Sequence, residues 1–326
     1  MKFSKALITG GAGFIGSFFC DKLYDEGVNF TIIDNLFRGK LENVSSLLNK
    51  QNKFYKLDLV DHMAINKIAD IIIKEQPDLI VHYAAINGTE HFYDNPSLVA
   101  ETNSIGTYNL FRAMEMARKR GFDKRALIVF SSTSEVYGEP FEIPTSEEDI
   151  TYARVQYERD SYAIAKLMSE FYMKLFCKEL GLDCIILRIF NVYGPRMVGT
   201  KYGQVIPEFI NRLNLGEYPL RIIGDGQQTR SFCFIDDHIN LTWKLINSPK
   251  SYNGIYNVGN PDEIKILDLA KRLMLKFGLD AKFSFIPGRD GDHLRRRPDI
   301  SKLLSTIGKY DFMSLDDGLD RILEHL

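Results

Sequence analysis

Short apolar runs alternate with longer amphipathic stretches through the first half of the chain. Ala6 to Thr9, Phe30 to Asp34, Leu79 to Ala84, Ala126 to Phe130 and Cys184 to Ile189 are rich in Ile, Val, Leu and Phe, without polar alternation. Runs of this kind predict strands covered on both faces, as in a parallel sheet. Gly16 to Glu26 and His62 to Glu75 read as helices between them. Strand–helix–strand alternation predicts a doubly wound α/β architecture. After Asn191 the pattern loosens, with Gly194-Pro195, Gly216, Pro219, Gly224 and Gly226 punctuating the chain. A second, smaller α/β region is expected there.

Composition narrows the class. The chain has 326 residues, with 41 Lys plus Arg against 43 Asp plus Glu, a formal charge of −2. Near-neutrality disfavours a polycationic nucleic-acid binder and a disordered acidic chain. The length exceeds what one core usually serves, so two joined units are expected. The N-terminal MKFSKALITGG lacks the apolar core and cleavage site of a signal peptide. No apolar run approaches a membrane span, so no membrane partner and a cytoplasmic location are expected. The four cysteines, Cys20, Cys177, Cys184 and Cys233, form no Cys-x-x-Cys pair and suit buried thiols in a reducing compartment. The six histidines show no metal-ligand spacing, and no metal is expected.

The first strand runs into Gly10-Gly11-Ala12-Gly13-Phe14-Ile15-Gly16. Glycines let the backbone turn sharply and let a pyrophosphate approach, while the next helix aims its free N–H groups at the anion. Alone, such a loop is equally a tight turn without a ligand. Here it follows a strand, opens a helix and precedes a second strand ending in Asp34, the pattern of a dinucleotide site. A carboxylate there accepts from ribose hydroxyls and repels a 2′-phosphate, which favours NAD over NADP. Arg38 is the counter-signal.

The strand at Ala126 to Phe130 leads into Ser131-Ser132-Thr133-Ser134-Glu135-Val136-Tyr137-Gly138. Ligands in open α/β sheets bind beyond the carboxyl ends of the strands. Further on, Tyr162 and Lys166 stand at i and i+4 on one helix face. A nearby ammonium favours a phenolate and is expected to lower the Tyr162 pKa toward neutrality, making it a base for an alcohol proton. By itself a Tyr-x-x-x-Lys pair more often marks a solvated helix face. Downstream of the glycine loop and the hydroxyl-rich strand end, it points to chemistry.

Together these stretches resemble the extended short-chain dehydrogenase/reductase family, in the group that modifies nucleotide-diphosphate sugars. Asp58-Leu59, His82-Tyr83-Ala84-Ala85, Asn103 and Phe190-Asn191-Val192-Tyr193-Gly194-Pro195-Arg196 also match. The resemblance implies a Rossmann-type NAD-binding domain over 1–190, rejoined by about 232–261, with 191–326 mainly binding the nucleotide sugar. It implies cofactor contacts from Gly10, Gly13, Phe14, Ile15, Gly16, Asp34, Asn35, Asp58, Leu59, Ala84 and Ala85, besides Tyr162 and Lys166. Tyr162 would take the proton of the sugar C4 hydroxyl. Thr133 would hold that oxygen, and Asn103 would support the lysine structurally. Substrate contacts would come from Asn191, Arg230, Arg289 and Asp292. Arg295-Arg296-Arg297 resembles the family's element facing the active site, with Arg296 offered as the substrate ligand and the choice among the three left open. A homodimer through the Tyr162 helix is implied, with Leu167, Phe171 and Leu175 as its apolar stripe unless that stripe faces the core.

The net reaction is left open by these residues. C4 epimerisation or C4 dehydrogenation fits the shared motifs. Ser134-Glu135, in Thr-Ser-Glu-Val-Tyr-Gly, also resembles UDP-glucuronate decarboxylases and GDP-mannose-type dehydratases, which would use Glu135. Ile86 to Tyr93 departs from those subgroups, and Glu90 facing inward would repel a sugar carboxylate. A reading of another class is a catalytically silent NAD-binding regulator, against which stand Thr133, Tyr162 and Lys166.

Overall fold

The computed structural model describes residues 3–199, 204–288 and 294–325. The first half is β1 (Lys5–Thr9), α1 (Phe14–Asp25), β2 (Asn29–Asp34), β3 (Lys53–Lys56), α2 (Ala64–Glu75), β4 (Leu79–His82), α3 (Thr89–Asp94), α4 (Pro96–Lys119), β5 (Leu127–Thr133), α5 (Ser161–Leu180) and β6 (Asp183–Ile189). Then come β7 (Val192–Tyr193), α6 (Val205–Asn214), β8 (Leu220–Ile223), β9 (Thr229–Ser231), β10 (Cys233–Phe234) and α7 (Ile235–Ile246). The remainder is β11 (Gly254–Val258), β12 (Glu263–Lys265), α8 (Ile266–Lys276), β13 (Phe283–Ile286), α9 (Ser301–Ile307) and α10 (Leu315–Leu323).

Seven strands form one parallel sheet in the order β11-β6-β5-β4-β1-β2-β3. Alternate side chains of each strand serve opposite faces, as the pleat requires. Ile8, Ile32, Val81 and Val129 pack with Phe19 and Leu23 of α1 and Leu241 and Leu245 of α7. Leu7, Ile33, Ile80 and Ile128 pack with Ile68 and Ile72 of α2, Leu110 and Met114 of α4 and Met173 of α5. Both faces are covered, which is why the strands read as continuous apolar runs. The order reverses between β1 and β4, and a crevice opens there beyond the strand ends.

The expected strands are all present, with shifted ends. β5 runs on to Thr133, so the hydroxyl-rich stretch is itself strand. β3 and β11, the two sheet edges, were not anticipated. The three small pairings β10–β7, β12–β9 and β13–β8 lie after Asn191. Along α5, Ile164, Met168, Phe171 and Leu175 are exposed and follow i, i+4, i+7, i+11. The expected stripe is therefore corrected at one position. Leu167 turns inward against Val136, Tyr137 and Phe190.

Candidate active site

A single cleft of about 450 Å³ runs across the carboxyl ends of β1, β2, β4, β5 and β6 and on to residues of the C-terminal region. At one end lies the glycine loop. Gly10 has φ +73°, and a Cβ there would stand 2.5 Å from the Ala84 nitrogen. A Cβ on Gly16 would stand 2.1 Å from the Gly10 carbonyl oxygen. Only glycine permits this packing of the loop on itself and against the segment that follows β4. Asp34 accepts from the backbone N–H groups of Ala12 (3.0 Å) and Leu36 (2.8 Å). Burial pushes its carboxyl pKa up, while these two hydrogen bonds oppose the shift. Asn35 donates to Asp58 at 2.9 Å, so the β2 and β3 ends meet at the cleft wall. Gly13, Phe14, Ile15, Leu59, Ala84 and Ala85 also line it. The loop, the acidic strand end and the α1 N-terminus together fit a dinucleotide. Arg38 lines the same cleft, with the Glu90 carboxylate and the Tyr162 phenol as its electrostatic neighbours.

The reacting end is built on β5 and α5. Thr133 closes β5 and shares a hydrogen bond with the Tyr162 phenol. Tyr162 is buried and stacks on Phe92 of α3, ring centres 5.1 Å apart at 16°. Lys166 is 1% exposed and donates to the Ser131 carbonyl at 2.8 Å, its ammonium 5.7 Å from the centre of the Tyr162 ring. One expectation is corrected here. The phenol is not lowered; burial and the charge of Glu135 push it up, against the Thr133 hydrogen bond and Arg38. It is Lys166 that shifts down, to about 7, because burial penalises its charge more than Glu170 restores it. Helical spacing brings the two side chains to one face, but desolvation outweighs their attraction.

Beneath them, His82 bridges Thr9 (2.6 Å) and Thr107 (2.9 Å). Burial holds it down at about 3, so it is a neutral tie between β1, β4 and α4. Asn103 donates to the carbonyls of Ile86 (2.9 Å) and Val99 (2.8 Å), fixing the loop that follows β4.

Beside Thr133, Glu135 is gripped by two arginines. Arg159 Nη1 lies 3.1 Å from Oε2, and Arg296 Nη1 lies 2.6 Å from Oε1. Both guanidiniums are buried, at 8% and 3% exposed. Arg296 also donates to Ser134 Oγ and to the Gly138 carbonyl, each at 3.4 Å. Its neighbours point elsewhere: Arg295 pairs with Glu263, and Arg297 donates to the Pro261 carbonyl. Sequence reasoning missed Arg159 and Phe92. Arg159 precedes Tyr162 by three residues, in the short helical turn Glu158–Asp160 that leads into α5; Phe92 carried no signal. Two guanidiniums thus converge on one carboxylate beside the reacting tyrosine, and Glu139 is a further charged neighbour of Arg296.

On the far side, Asn191 donates to the Ser231 carbonyl at 3.1 Å, and Arg230 donates to the Thr229 carbonyl at 2.7 Å; both line the cleft. Arg196 and Arg212, which were not expected, line it too. Arg289 and Asp292 lie outside the described residues. Among the described residues no cluster of His, Cys, Asp and Glu is arranged to hold a metal ion, and the four cysteines are free and buried.

The model of the NAD dependent epimerase/dehydratase family matches residues 6–259. UDP-glucuronic acid decarboxylase 1 of Xenopus tropicalis is 32% identical over 321 residues, 98% of this chain and 72% of that protein. The crystal structure of UDP-glucose 4-epimerase from Thermotoga maritima superposes with a TM-score of 0.86 at 31% identity, covering 98% of each chain. A dTDP-glucose 4,6-dehydratase from Streptomyces venezuelae, solved with NAD bound, superposes with a TM-score of 0.85 at 27% identity, covering 98% of this chain and 96% of that one.

Proposed function

The chain belongs to the NAD dependent epimerase/dehydratase family, and from that premise we propose that it decarboxylates a UDP-linked sugar acid through a 4-keto intermediate. One observation carries the reading: the buried pair Arg159 and Arg296 converging on Glu135 beside the reacting tyrosine. Bound NAD would supply reversible hydride exchange at sugar C4, which leaves the net reaction redox-neutral. Gly10, Gly13, Gly16, Asp34, Asn35 and Asp58 are the residues that would hold it.

Tyr162 in its phenolate form is assigned as acceptor of the C4 hydroxyl proton; burial and Glu135 oppose that form, the Thr133 hydrogen bond and Arg38 favour it, and Thr133 would hold the sugar oxygen. The C6 carboxylate then stands β to a ketone. The C5–C6 bond breaks, its electron pair moves toward the C4 oxygen, and carbon dioxide leaves. The hydroxyl of Thr133 and the protonated Tyr162 stabilise the enolate. A solvent proton is added at C5. Arg159 and Arg296 are assigned to hold the carboxylate before it leaves, through the forked hydrogen bonds that guanidinium groups give carboxylates. Removing a carboxylate needs no acid for a leaving hydroxyl. A dehydratase does need one, and both Glu135 oxygens already accept from guanidinium groups. Glu90 has Arg38 as a charged neighbour, which offsets its repulsion of a sugar acid.

Arg230 and Asn191 are assigned to the diphosphate side, with Arg289 and Asp292 carried from the family resemblance alone. C4 epimerisation is the second reading, favoured by the likeness to the Thermotoga maritima epimerase over the whole chain. The exposed face of Ile164, Met168, Phe171 and Leu175 is assigned to a homodimer interface. No described helix is long and apolar enough to cross a membrane. Mass spectrometry of products from UDP-glucuronate and UDP-glucose in deuterated water separates the outcomes. Loss of carbon dioxide from the first supports the reading; turnover of UDP-glucose alone to its epimer refutes it.

A further inference from the structure

Arg296 reaches Glu135 from a segment with little regular structure. Residues 294–300 contain one isolated β-bridge, Pro298 to Thr145. Thr145 donates its N–H to the Arg297 carbonyl (2.9 Å) and accepts from the Asp299 N–H (2.8 Å). These two stretches of backbone meet at Asn257, on the edge strand β11. Asn257 is fully buried. Its Nδ2 donates to the carbonyls of Thr145 (2.9 Å) and Asp299 (3.1 Å), and its Oδ1 accepts from the Tyr137 hydroxyl (2.7 Å).

The chain of contacts continues inward. Arg188 donates to Tyr137 Oη at 3.0 Å and grips Glu170 through Nε (3.1 Å) and Nη2 (2.9 Å). Glu170 lies one helical turn beyond Lys166 on α5. A single buried network therefore joins the helix of the reacting lysine to a point three residues from Arg296. Every polar atom of the Asn257 amide is used, and a truncated side chain would leave two buried carbonyls without that donor and a hydroxyl without its acceptor.

We infer that Asn257 is a positioning residue for the sugar-acid pocket. Through Thr145 and Asp299 it holds residues 294–300 at the depth that sets Arg296 against Glu135. The inference rests on the sugar-acid reading of that pocket, and its test separates the two. Full-length wild-type, Asn257→Ala and Tyr137→Phe proteins, with NAD present, are treated with phenylglyoxal. Modification of Arg296 and of Arg159 is mapped by peptide mass spectrometry. The same proteins are titrated with UDP-glucuronate, UDP-glucose and UDP.

In wild type both arginines stay protected. In Asn257→Ala, Arg296 becomes reactive while Arg159 stays protected. Affinity for UDP-glucuronate falls about tenfold, the scale of one lost buried hydrogen-bonded contact, and affinity for UDP changes less than about twofold. Tyr137→Phe, which removes only a hydroxyl, moves the same readouts in the same direction by less. Continued protection of Arg296 in both variants overturns the inference. So does equal exposure of both arginines with equal weakening of UDP and UDP-glucuronate, the outcome of a purely structural role. A wild-type protein that binds UDP-glucuronate no better than UDP-glucose refutes the sugar-acid reading alone; the arginine mapping still decides the anchor.

Discussion

Lys166 and Tyr162 stand one helical turn apart, yet their protons are ordered opposite to what spacing suggests. Burial raises the phenol and brings the ammonium down to about 7. The folded protein therefore holds Lys166 more weakly protonated than the unfolded chain does. Between about 7 and the ordinary lysine value the unfolded state binds more protons, so this group makes stability rise with pH across that window. Below about 7 the buried charge exacts its full penalty. Lys166→Met should accordingly raise the melting temperature most at pH 6, with the gain shrinking as pH climbs toward 10. Thermal melts of both proteins across that range check this; a constant difference would contradict it. The sequence shows which residue types meet here, but not how far each is buried, and burial sets the order.

At the same scale, Arg296 and Arg159 are predicted to act on the sugar acid and not on the cofactor. Arg296→Ala should lower kcat/KM for the sugar acid by about a hundredfold or more, as expected when one partner of a buried charge pair is removed. NAD affinity, followed by fluorescence titration, should stay within about twofold. Equal loss of both would mean that the substitution merely unfolds the site. The family resemblance left open which of Arg295, Arg296 and Arg297 faces the site; it is Arg296 that meets Glu135. The pairing itself, between residues 161 positions apart, follows from the path of the chain and leaves no trace in local spacing.

Among the elements, the glycine loop was the most legible. Gly10 and Gly16 are dictated by backbone contacts so close that no other residue fits, and such constraints are written in residue type. Gly16→Ala places a methyl against the Gly10 carbonyl. It should weaken NAD binding by at least about tenfold while the far-UV spectrum is retained. Unchanged NAD affinity would show that the loop does not cradle the cofactor. The edge strands were less legible. Lys53–Lys56 is a half-buried KFYK, and Gly254–Val258 opens on glycine, so neither shows the apolar run of a central strand. α3 was invisible, because its role at the site comes from one ring, Phe92, laid on Tyr162.

Over the whole molecule, near-zero charge hides an uneven distribution. Asp34 and Asp58 line the dinucleotide end, whereas Arg159, Arg196, Arg212 and Arg230 line the rest of the same cleft, the first three paired with Glu135, Asp21 and Glu208. The sum of −2 is therefore made of local ion pairs along the cleft as well as of dispersed surface charge. The exposed face of α5 gives a prediction at this scale. Phe171, 62% exposed at its centre, is expected to pack against a second copy. Phe171→Glu should shift the protein from dimer to monomer in analytical ultracentrifugation. A monomeric wild type would remove the interface.

Loss of a sugar carboxylate at the Glu135–Arg159–Arg296 cluster can be followed by supplying UDP-glucuronate labelled with carbon-13 at C6 to the NAD-loaded protein and measuring labelled carbon dioxide and the remaining nucleotide sugar. Labelled carbon dioxide is expected in step with an unlabelled UDP-pentose, from the wild type and not from Arg296→Ala. Retention of the label in a six-carbon product, epimerised at C4 or left as the ketone, would contradict it.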